Sequence, residues 1–242
     1  MKLGKLRRDW DELGRTDPLW AILTLPEKQG GRWDLTEFFN SGRYEISRVA
    51  EHVESLGLAL GSGRALDFGC GVGRLSQALA ERFDEVVGVD IAASMIEQAN
   101  ELNRHGERVT YVLNTTDDLR ILGDRPFDLV YSNITLQHMP PRYMRRYLAE
   151  FLRVLGPGGH VVFELTTRPG FRMRWLCRLA RLRRRRYKMF VYWMRPETVA
   201  AVVKRHGGAV LDAAPTIEKD GWLRYRYCIA RAGDAPVPRE PR

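Results

Sequence analysis

The chain has few cysteines and no long apolar run. Only three cysteines, Cys70, Cys177 and Cys228, occur among 242 residues, and their odd number and wide spacing argue against a disulfide framework or a zinc site. We therefore expect a reducing compartment, and we predict no metal site. No stretch reaches the roughly 20 apolar residues of a membrane-spanning helix, and the first residues lack the apolar core of a secretory signal. These absences favour a cytoplasmic protein.

Acidic residues are missing from one segment, although the composition is otherwise typical of a globular protein. Hydrophobic residues make up 44% of the chain and charged residues 29%, and the net charge is +9. Ten basic residues and no acid lie between Arg168 and Lys188, so the rest of the chain is close to neutral. This distribution favours a local anionic partner over a diffuse attraction to nucleic acid.

A glycine-rich turn stands between a short apolar run and a helical pattern. Asp67 follows the apolar run, and three glycines come next at alternate positions, Gly69, Gly71 and Gly73. Because glycine has no Cβ, such a turn lets the backbone approach a ligand closely, and the N–H groups of the next helix suit a carboxylate or phosphate. Asp90 closes a second apolar run 19 residues after Gly71, where an acid can accept both hydroxyls of a ribose.

Strand-like and helical patterns alternate from Arg64 to about Leu165. The alternation predicts a parallel sheet with helices on both faces, and right-handed crossovers then place a ligand at the carboxyl ends of the strands. Before the sheet, apolar residues at helical spacing predict a helix from Ser41 to Leu58, with Ser41 as its N-cap. The aromatic residues among the first 40 indicate that this segment folds over the core as a cap.

The strand, acid, glycines, helix, second strand and second acid, in this order, resemble the class I S-adenosylmethionine-dependent methyltransferases. The dinucleotide fingerprint is G-x-G-x-x-G, whereas this chain has G-x-G-x-G. The resemblance implies an α/β fold with a Rossmann-like, seven-stranded, mostly parallel sheet, helices on both faces and an antiparallel last strand. It also implies a cap and lid helix at 1–58, a methyltransferase domain at 59–232 with a basic insertion at 168–190, and a flexible tail at 233–242.

The resemblance further implies that S-adenosylmethionine is the cofactor and names the residues that hold it. The cradle of the methionine part and the walls around the ribose and adenine comprise Asp67, Gly69, Cys70, Gly71, Gly73, Arg74, Asp90, Ile91 and Met95. Arg74 has two possible interpretations: an ion pair with the cofactor carboxylate, or a solvated position in the first turn of the helix. Met95 is either an adenine wall or a core residue.

The loops after the third and fourth strands supply the remaining cofactor residues. Thr116 and Asp117 lie where relatives meet the adenine, although many relatives have Gly-Asp where this chain has Asn114-Thr115. A polar loop capped by its own acid is the alternative for both residues. Asn133 lies where the family places a contact to the methionine part.

His138 is the candidate catalytic residue, because an imidazole is tuned to take a proton near neutral pH. In relatives a histidine at this position also serves only to pack against the cofactor or to shape the pocket. Residues Phe38, Arg43 and Tyr44 lie in a segment that relatives use as a lid, with packing of an N-terminal helix as the alternative. Together with Trp175 of the basic segment, they are the predicted acceptor contacts.

The basic segment from Phe171 to Lys188 leaves several partners open. It is a lid that brings arginines to an anionic acceptor, an amphipathic helix on an anionic membrane, a nucleic-acid contact, or a solvated face with no partner. We favour methyl transfer to an oxygen of a small-molecule, sugar or lipid-linked acceptor, with at most peripheral contact to the inner membrane surface. An RNA or protein methyltransferase, an NAD-dependent oxidoreductase and a non-catalytic cofactor-binding module are the alternatives.

Overall fold

A seven-stranded sheet forms the centre of the part of the chain that the structure describes. The structure is a computed structural model and describes residues 1–169, 189–216 and 222–234. The strands are β1 (Arg64–Phe68), β2 (Glu85–Asp90), β3 (Val109–Leu113), β4 (Phe127–Ser132), β5 (Leu155–Pro169), β6 (Gly208–Thr216) and β7 (Trp222–Arg231). Their order is β3-β2-β1-β4-β5-β7-β6, and only the pairs that involve β7 are antiparallel. This confirms the predicted fold class.

Helices precede the sheet and connect its strands. They are α1 (Leu3–Thr16), α2 (Pro18–Ile22), α3 (Leu35–Ser55), α4 (Arg74–Leu79), α5 (Ala93–Glu101), α6 (Pro141–Val154) and α7 (Pro196–Arg205). Short 3₁₀ turns occur at Pro26–Lys28, Gly106–Arg108, Arg120–Leu122, Leu136–His138 and Ala232–Asp234. The described part of the chain contains no helix with the length and apolar character needed to cross a membrane.

The helix predicted to begin at Ser41 begins earlier, so that prediction was wrong at its N-terminal end. Asp34 is the N-cap of α3, and its Oδ1 accepts a hydrogen bond from the backbone N–H of Glu37 at 2.8 Å. Ser41 instead lies inside the helix and donates its hydroxyl to the carbonyl of Phe38 at 2.6 Å. Residues 35–40 therefore continue the amphipathic face of α3 rather than forming a separate cap.

Helices cover both faces of the sheet, and β1 is buried along nearly its whole length. On one face, α3 and α4 bury apolar side chains such as Val49 and Leu79 against β1 and β4. On the other face, α6 and α7 bury Phe151 and Val199. Because the first five strands are parallel, their carboxyl ends meet at one edge, and the loops after β1, β2 and β4 lie side by side there.

The N-terminal helix α1 lies against α5 and α6. The backbone N–H of Ser94 donates to Asp11 Oδ1 at 2.9 Å, and the Ser94 hydroxyl donates to the Asp11 carbonyl at 2.8 Å. The side chain of Gln98 donates to the carbonyl of Gly14 at 2.8 Å. At the other end of α1, the backbone N–H of Leu3 donates to the Tyr143 hydroxyl at 3.1 Å. These contacts tie α1 to elements on both sides of the sheet edge.

Most of the predicted basic insertion lies outside the described residues. The predicted acceptor contact Trp175 and the run from Phe171 to Lys188 belong to the part that the structure does not describe. The peripheral membrane contact predicted for this run therefore stays a prediction.

A test of the fold concerns Gly42, where α3 approaches α4 most closely. A Cβ at this position would lie 2.4 Å from the backbone carbonyl oxygen of Arg74, which has no freedom to turn away. We expect Gly42→Ala to lower the free energy of unfolding by about 1–3 kcal/mol through overpacking. Urea denaturation followed by circular dichroism measures this change.

Gly4 in α1 is the matched control for Gly42. A Cβ at Gly4 would have the end of the flexible Arg8 side chain as its nearest neighbour, at 4.0 Å. Since alanine favours a helix over glycine by up to about 1 kcal/mol, Gly4→Ala should be neutral or slightly stabilising. Equal stability of the two variants would contradict the close approach of α3 and α4.

Candidate functional site

A cleft opens at the carboxyl edge of the sheet, beside the point where the strand order reverses between β1 and β4. Open α/β sheets bind ligands at such switch points. Nine of the predicted site residues line this cleft, namely the cofactor contacts Gly69, Cys70, Gly71, Arg74, Asp90, Ile91, Met95 and Asn133 and the catalytic candidate His138. The structure therefore brings residues from separate stretches of the sequence to one cavity.

The glycine loop after β1 is held against the end of β2. The N–H groups of Gly69 and Cys70 both donate to the Val89 carbonyl, at 2.7 and 3.0 Å. At Gly71 the φ angle is +53°, and a Cβ would lie 2.5 Å from Ile22 Cδ1 of α2. Glycine is required at this position because the backbone turns into the left-handed region under a covering side chain. Gly73 caps α4 and lies outside the lining.

Asp90 is oriented by the same loop. Its Oδ2 accepts from the backbone N–H of Gly71 at 3.0 Å, and its Oδ1 accepts from the N–H of Ala92 at 2.9 Å. Burial raises the pKa of Asp90, and hydrogen bonds from the backbone N–H groups of Ala92, Gly71 and Ile91 oppose the rise. Each carboxylate oxygen has two lone pairs, so both oxygens can accept one further hydrogen bond from a ligand in the cleft.

Asp67 lies behind the glycine loop and is almost fully buried. Its Oδ2 accepts from the Ser76 hydroxyl at 2.6 Å, while its buried Oδ1 has no partner among the described residues. Burial raises the pKa of Asp67 to about 7; the Ser76 hydrogen bond and the charge of Arg74 act against the rise, and Glu45 and Asp90 add to it. Asp67 is therefore placed to support the loop from below, and it is not part of the cleft wall.

Arg74 is buried rather than solvated, with 3% of its surface exposed. Its Nη2 donates to Glu45 Oε2 on α3 at 2.7 Å, and its Nη1 donates to the Ser41 hydroxyl at 3.3 Å. The solvated alternative considered for Arg74 was therefore wrong. No local pattern pointed to Glu45, because the contact joins two helices and spans 29 residues of the chain.

The turn after β4 carries a strained residue. Ile134 has φ 57°, in the left-handed region that a β-branched side chain rarely adopts, and it lines the cleft beside Asn133. Such a conformation costs about 1–3 kcal/mol and persists where neighbours fix it. The neighbours here are Ser132, whose hydroxyl donates to the Phe68 carbonyl at 3.0 Å, and Thr135, whose hydroxyl donates to the Asn133 carbonyl at 3.0 Å.

His138 forms part of the cleft wall and is buried. Its Nδ1 lies 3.1 Å from the carbonyl oxygen of Phe190, which can only accept a hydrogen bond, so Nδ1 carries the proton. Its Nε2 lies 3.4 Å from the amide nitrogen of Gln137, whose own oxygen accepts from the Thr166 hydroxyl at 2.9 Å. The ring also meets Trp10 of α1 edge to face, with centroids 5.2 Å apart.

Burial lowers the pKa of His138 to about 4; the hydrogen bond to Phe190 opposes this shift, and the charge of Arg224 adds to it. The imidazole is consequently neutral at physiological pH, with an unprotonated Nε2. A neutral imidazole in the wall of a closed cleft is able to take a proton from a bound group.

Two predicted adenine contacts lie outside the lining. Thr116 is exposed, and its hydroxyl donates to Asn114 Oδ1 at 2.8 Å. Asp117 pairs with Arg146 of α6 at 3.2 Å. Asn114 lines the cleft in their place, because it is the first residue after β3 and its N–H donates to the Asp90 carbonyl at 2.9 Å. Its position directly after the strand was the signal that could have identified it.

Three predicted acceptor contacts on α3 also lie away from the cleft. Tyr44 is 70% exposed. Arg43 is exposed and pairs with Glu81 at 2.5 Å. Phe38 is fully buried between the N-terminal helices and packs edge to face on Trp33, with ring centroids 5.5 Å apart. Helical phase explains the exposure of Arg43 and Tyr44, since the face that meets α4 carries Gly42 and Glu45. Phe38 shares that face, but it lies one turn earlier and is buried in an apolar cluster with Trp33 and Met95.

The cover over the cleft comes from α1 and α2, which belong to the N-terminal segment that the sequence predicted to fold over the core as a cap. The covering side chains are Leu3, Leu6 and Trp10 of α1 and Ala21 and Ile22 of α2. Ile22 lies over the glycine loop and Trp10 lies over His138, so the two helices exclude water from both parts of the cleft. The described residues contain no cluster of three or more side chains that suits a metal ion.

Known proteins are similar to this chain in sequence and in fold. A family described as a methyltransferase domain matches residues 65–159. The ubiquinone biosynthesis O-methyltransferase of Xylella fastidiosa (strain 9a5c) is 30% identical over 172 residues, which cover 67% of this chain and 67% of that protein. The ubiquinone biosynthesis O-methyltransferase of Vibrio vulnificus (strain YJ016) is 29% identical over 138 residues, 56% of this chain and 57% of that one.

Solved structures show the same fold at low sequence identity. Magnesium protoporphyrin IX methyltransferase from Synechocystis PCC 6803, with bound SAH, has a TM-score of 0.66 at 18% identity and covers 93% of this chain and 97% of its own. The 1,6-didemethyltoxoflavin-N1-methyltransferase of Burkholderia thailandensis has a TM-score of 0.63 at 20% identity, with 94% and 87% covered.

The buried carboxyl of Asp67 gives a prediction for stability against pH. Its native pKa of about 7 lies above the usual value of 3.8, so the folded state binds more protons than the unfolded state between these values. Stability contributed by the protonated form is therefore lost as the pH rises from about 4 to about 7. The neutral variant Asp67→Asn removes this dependence.

We expect the difference in free energy of unfolding, Asp67→Asn minus the unmodified protein, to be more favourable to the variant at pH 8 than at pH 5. Urea denaturation of both proteins at the two pH values measures the difference. Parallel pH profiles of the two proteins would show that Asp67 does not titrate in this range.

Proposed function

The chain belongs to the class I S-adenosylmethionine-dependent methyltransferases, and from this premise we propose that it methylates an oxygen atom of a small, largely apolar acceptor, with His138 as the proton acceptor. The observation that carries the proposal is the neutral imidazole in the wall of a covered, mostly apolar cleft. The ubiquinone biosynthesis O-methyltransferases among the curated relatives support oxygen as the target atom, while one further relative is named as an N-methyltransferase.

The residues of the cleft fit the cofactor of the family. The glycine loop presents backbone without side chains to the cleft at Gly69 and Gly71, and Asp90 has free lone pairs for the two ribose hydroxyls. Ile91 and Met95 offer apolar contacts for the adenine, and Asn114 offers polar ones. When bound, S-adenosylmethionine supplies an electrophilic methyl group and a sulfonium leaving group.

The protein's part in the reaction is positioning, exclusion of water and proton transfer. His138 Nε2 receives the proton of the acceptor hydroxyl as its oxygen becomes the nucleophile, once that hydroxyl replaces the Gln137 amide group 3.4 Å away, and Phe190 stabilises the imidazolium through Nδ1–H. Trp10 keeps the ring in place from the other side. Because α1 and α2 cover the cleft, the acceptor oxygen is aligned in a dry site, which is the main requirement of a displacement at carbon.

The acceptor is inferred from the walls that surround His138. Leu6, Trp10, Ile134 and Met139 are apolar, so they favour an apolar or aromatic body that carries one hydroxyl. A sugar acceptor would leave its other hydroxyls without partners against these walls. Of the acceptor classes predicted from the sequence, a small apolar molecule or a lipid-linked one is therefore favoured over a sugar.

Family membership removes one of the alternatives, since it excludes the NAD-dependent oxidoreductase. Methylation of RNA or protein would depend on a surface that reaches the cleft, and the segment predicted to form it, 168–188, falls largely outside the described residues. The RNA or protein methyltransferase therefore stays the less favoured alternative prediction.

Binding of the cofactor product tests the proposed site. Asp90→Asn keeps the shape of the side chain but removes the charge and one of two acceptors for backbone N–H groups, so we expect affinity for S-adenosylhomocysteine to fall by about 10- to 100-fold. Isothermal titration calorimetry measures the dissociation constants. No heat from the unmodified, folded protein at millimolar ligand would rule the site out.

Asp128→Asn is the matched control for Asp90→Asn. Asp128 Oδ2 also accepts from two backbone N–H groups, those of Gly63 and Arg64 at 2.8 and 3.0 Å, but it lies at the opposite edge of the sheet. Its replacement should leave affinity for S-adenosylhomocysteine unchanged. An equal loss in both variants would show that the effect comes from weakened folding.

Kinetics of a His138 variant test the catalytic role. We expect His138→Asn to lower kcat for methylation of phenols and quinols by about 10²- to 10⁴-fold, the usual contribution of a general base, with affinity for S-adenosylhomocysteine unchanged. Because the pKa of His138 is about 4, kcat/KM of the unmodified enzyme should show no loss of base near pH 6.5. Unchanged kcat in the variant would mean that His138 only shapes the cleft.

A further inference from the structure

We propose that Glu45 is a positioning residue whose single carboxylate orients two groups, the amide of Asn133 and the guanidinium of Arg74, to receive the zwitterionic amino-acid end of the cofactor. The inference rests on the proposed cofactor site. Glu45 itself is not among the residues that line the cleft. It acts through its neighbours.

The carboxylate of Glu45 accepts hydrogen bonds from side chains of two other elements of the fold. Its Oε2 accepts from Arg74 Nη2 at the start of α4, at 2.7 Å. Its Oε1 accepts from Asn133 Nδ2 at 2.5 Å and from the Tyr131 hydroxyl at 2.8 Å, both at the end of β4. The side chain of Glu45 is only 18% exposed, so solvent competes little with these bonds.

The contact to Glu45 decides which way the amide of Asn133 points. An ionised carboxylate has no hydrogen to donate, so it must face the NH₂ group of the amide. The oxygen Oδ1 is then directed elsewhere; it is buried and has no partner among the described residues. Asn133 lines the cleft, so this oxygen is a ready acceptor for a donor bound there. The α-ammonium group of the cofactor is such a donor.

Arg74 supplies the complementary donor. One end of its guanidinium is committed to Glu45, and its Nε is buried without a partner among the described residues. Arg74 also lines the cleft, where a carboxylate of the cofactor would complete its hydrogen bonds. Since a lone buried guanidinium is costly, Glu45 also makes it possible for Arg74 to stay buried in the absence of ligand.

The charges balance in this arrangement. Glu45 and Arg74 together carry no net charge, and the amino-acid end of the cofactor carries none either. Binding therefore brings two neutral pairs together with alternating signs and adds no net charge to the buried groups around Glu45. Without the carboxylate of Glu45, the amide of Asn133 is free to turn over and present a donor to the ammonium.

Two ligands that differ only in the amino-acid part test this role. S-Adenosylhomocysteine carries the zwitterion, whereas 5′-methylthioadenosine has the same nucleoside and sulfur without it. We expect Glu45→Gln to lower the affinity for S-adenosylhomocysteine by about 10- to 100-fold, the range for a lost charge-assisted hydrogen bond. The affinity for 5′-methylthioadenosine should change by less than about 2-fold. Calorimetry on the whole chain measures both affinities.

Glu85→Gln is the matched control. Glu85 also holds two arginines, Arg64 at 2.9 Å and Arg125 at 2.5 Å, but it lies at the opposite end of β2 from Asp90. The affinity for each of the two ligands should be unchanged in this variant. Steady-state kinetics add a second readout, because Glu45→Gln should raise KM for S-adenosylmethionine while kcat at saturation is largely kept.

Asn133→Ala provides an independent variant in case Glu45→Gln folds poorly. It should also weaken S-adenosylhomocysteine selectively, and the double variant should lose less than the two single losses multiplied together, because both act on one contact. An equal loss for both ligands, or no loss for S-adenosylhomocysteine, would overturn the role of Glu45. Failure of the unmodified protein to bind S-adenosylhomocysteine would instead overturn the proposed site itself.

Discussion

The site depends on the junction between the glycine loop and the end of β2. Two backbone N–H groups, of Gly69 and Cys70, converge on the Val89 carbonyl, and the next N–H, of Gly71, reaches the carboxylate of Asp90. Because β1 and β2 are paired in parallel register, from Arg64 opposite Glu85 to Phe68 opposite Val89, both strands end at the same level. The loop and the acid are therefore fixed relative to each other by the sheet, before any ligand binds.

Charge is the second constraint, because several ionisable groups are concentrated in a space with little water. Glu45 pairs with Arg74, the charges of Arg74, Glu45 and Asp90 all act on Asp67, and burial raises the pKa values of Asp67 and Asp90. Each carboxylate is stabilised by its own hydrogen-bond donors. Asp67 accepts from a hydroxyl, Asp90 from two backbone N–H groups and Glu45 from three side chains. The arrangement stays polar enough for a charged ligand without leaving a fully unpaired charge.

Features built from residues close together in the chain could be predicted from the sequence, and features built from distant residues could not. The glycine loop and Asp90 depend on contiguous residues and on strand period, so their place in the cleft was predictable. Glu45 and Ile22 lie on helices, and local sequence patterns do not predict the rotation and packing angle that bring these side chains to the site. The predicted start of α3 was wrong because Asp34, which caps a helix as readily as a serine does, lies seven residues before Ser41 and accepts from the backbone N–H of Glu37. The family pattern pointed to Thr116 for the adenine contact, whereas Asn114, directly after the end of β3, is the residue that lines the cleft.

The cleft has two different chemical halves, and this division explains why one loop motif identifies the family without identifying the acceptor. The half beside β1 and β2 is polar and built from backbone groups, which any member that binds the same cofactor has to reproduce. The half around His138 is built from side chains of α1, the β4 turn and the segment near Phe190, elements that the sheet does not fix in register. Here a change of one side chain alters the shape and polarity of the wall without disturbing the cofactor half. Under the proposed function the acceptor is therefore specified by Trp10, Ile134 and Met139 rather than by the glycines.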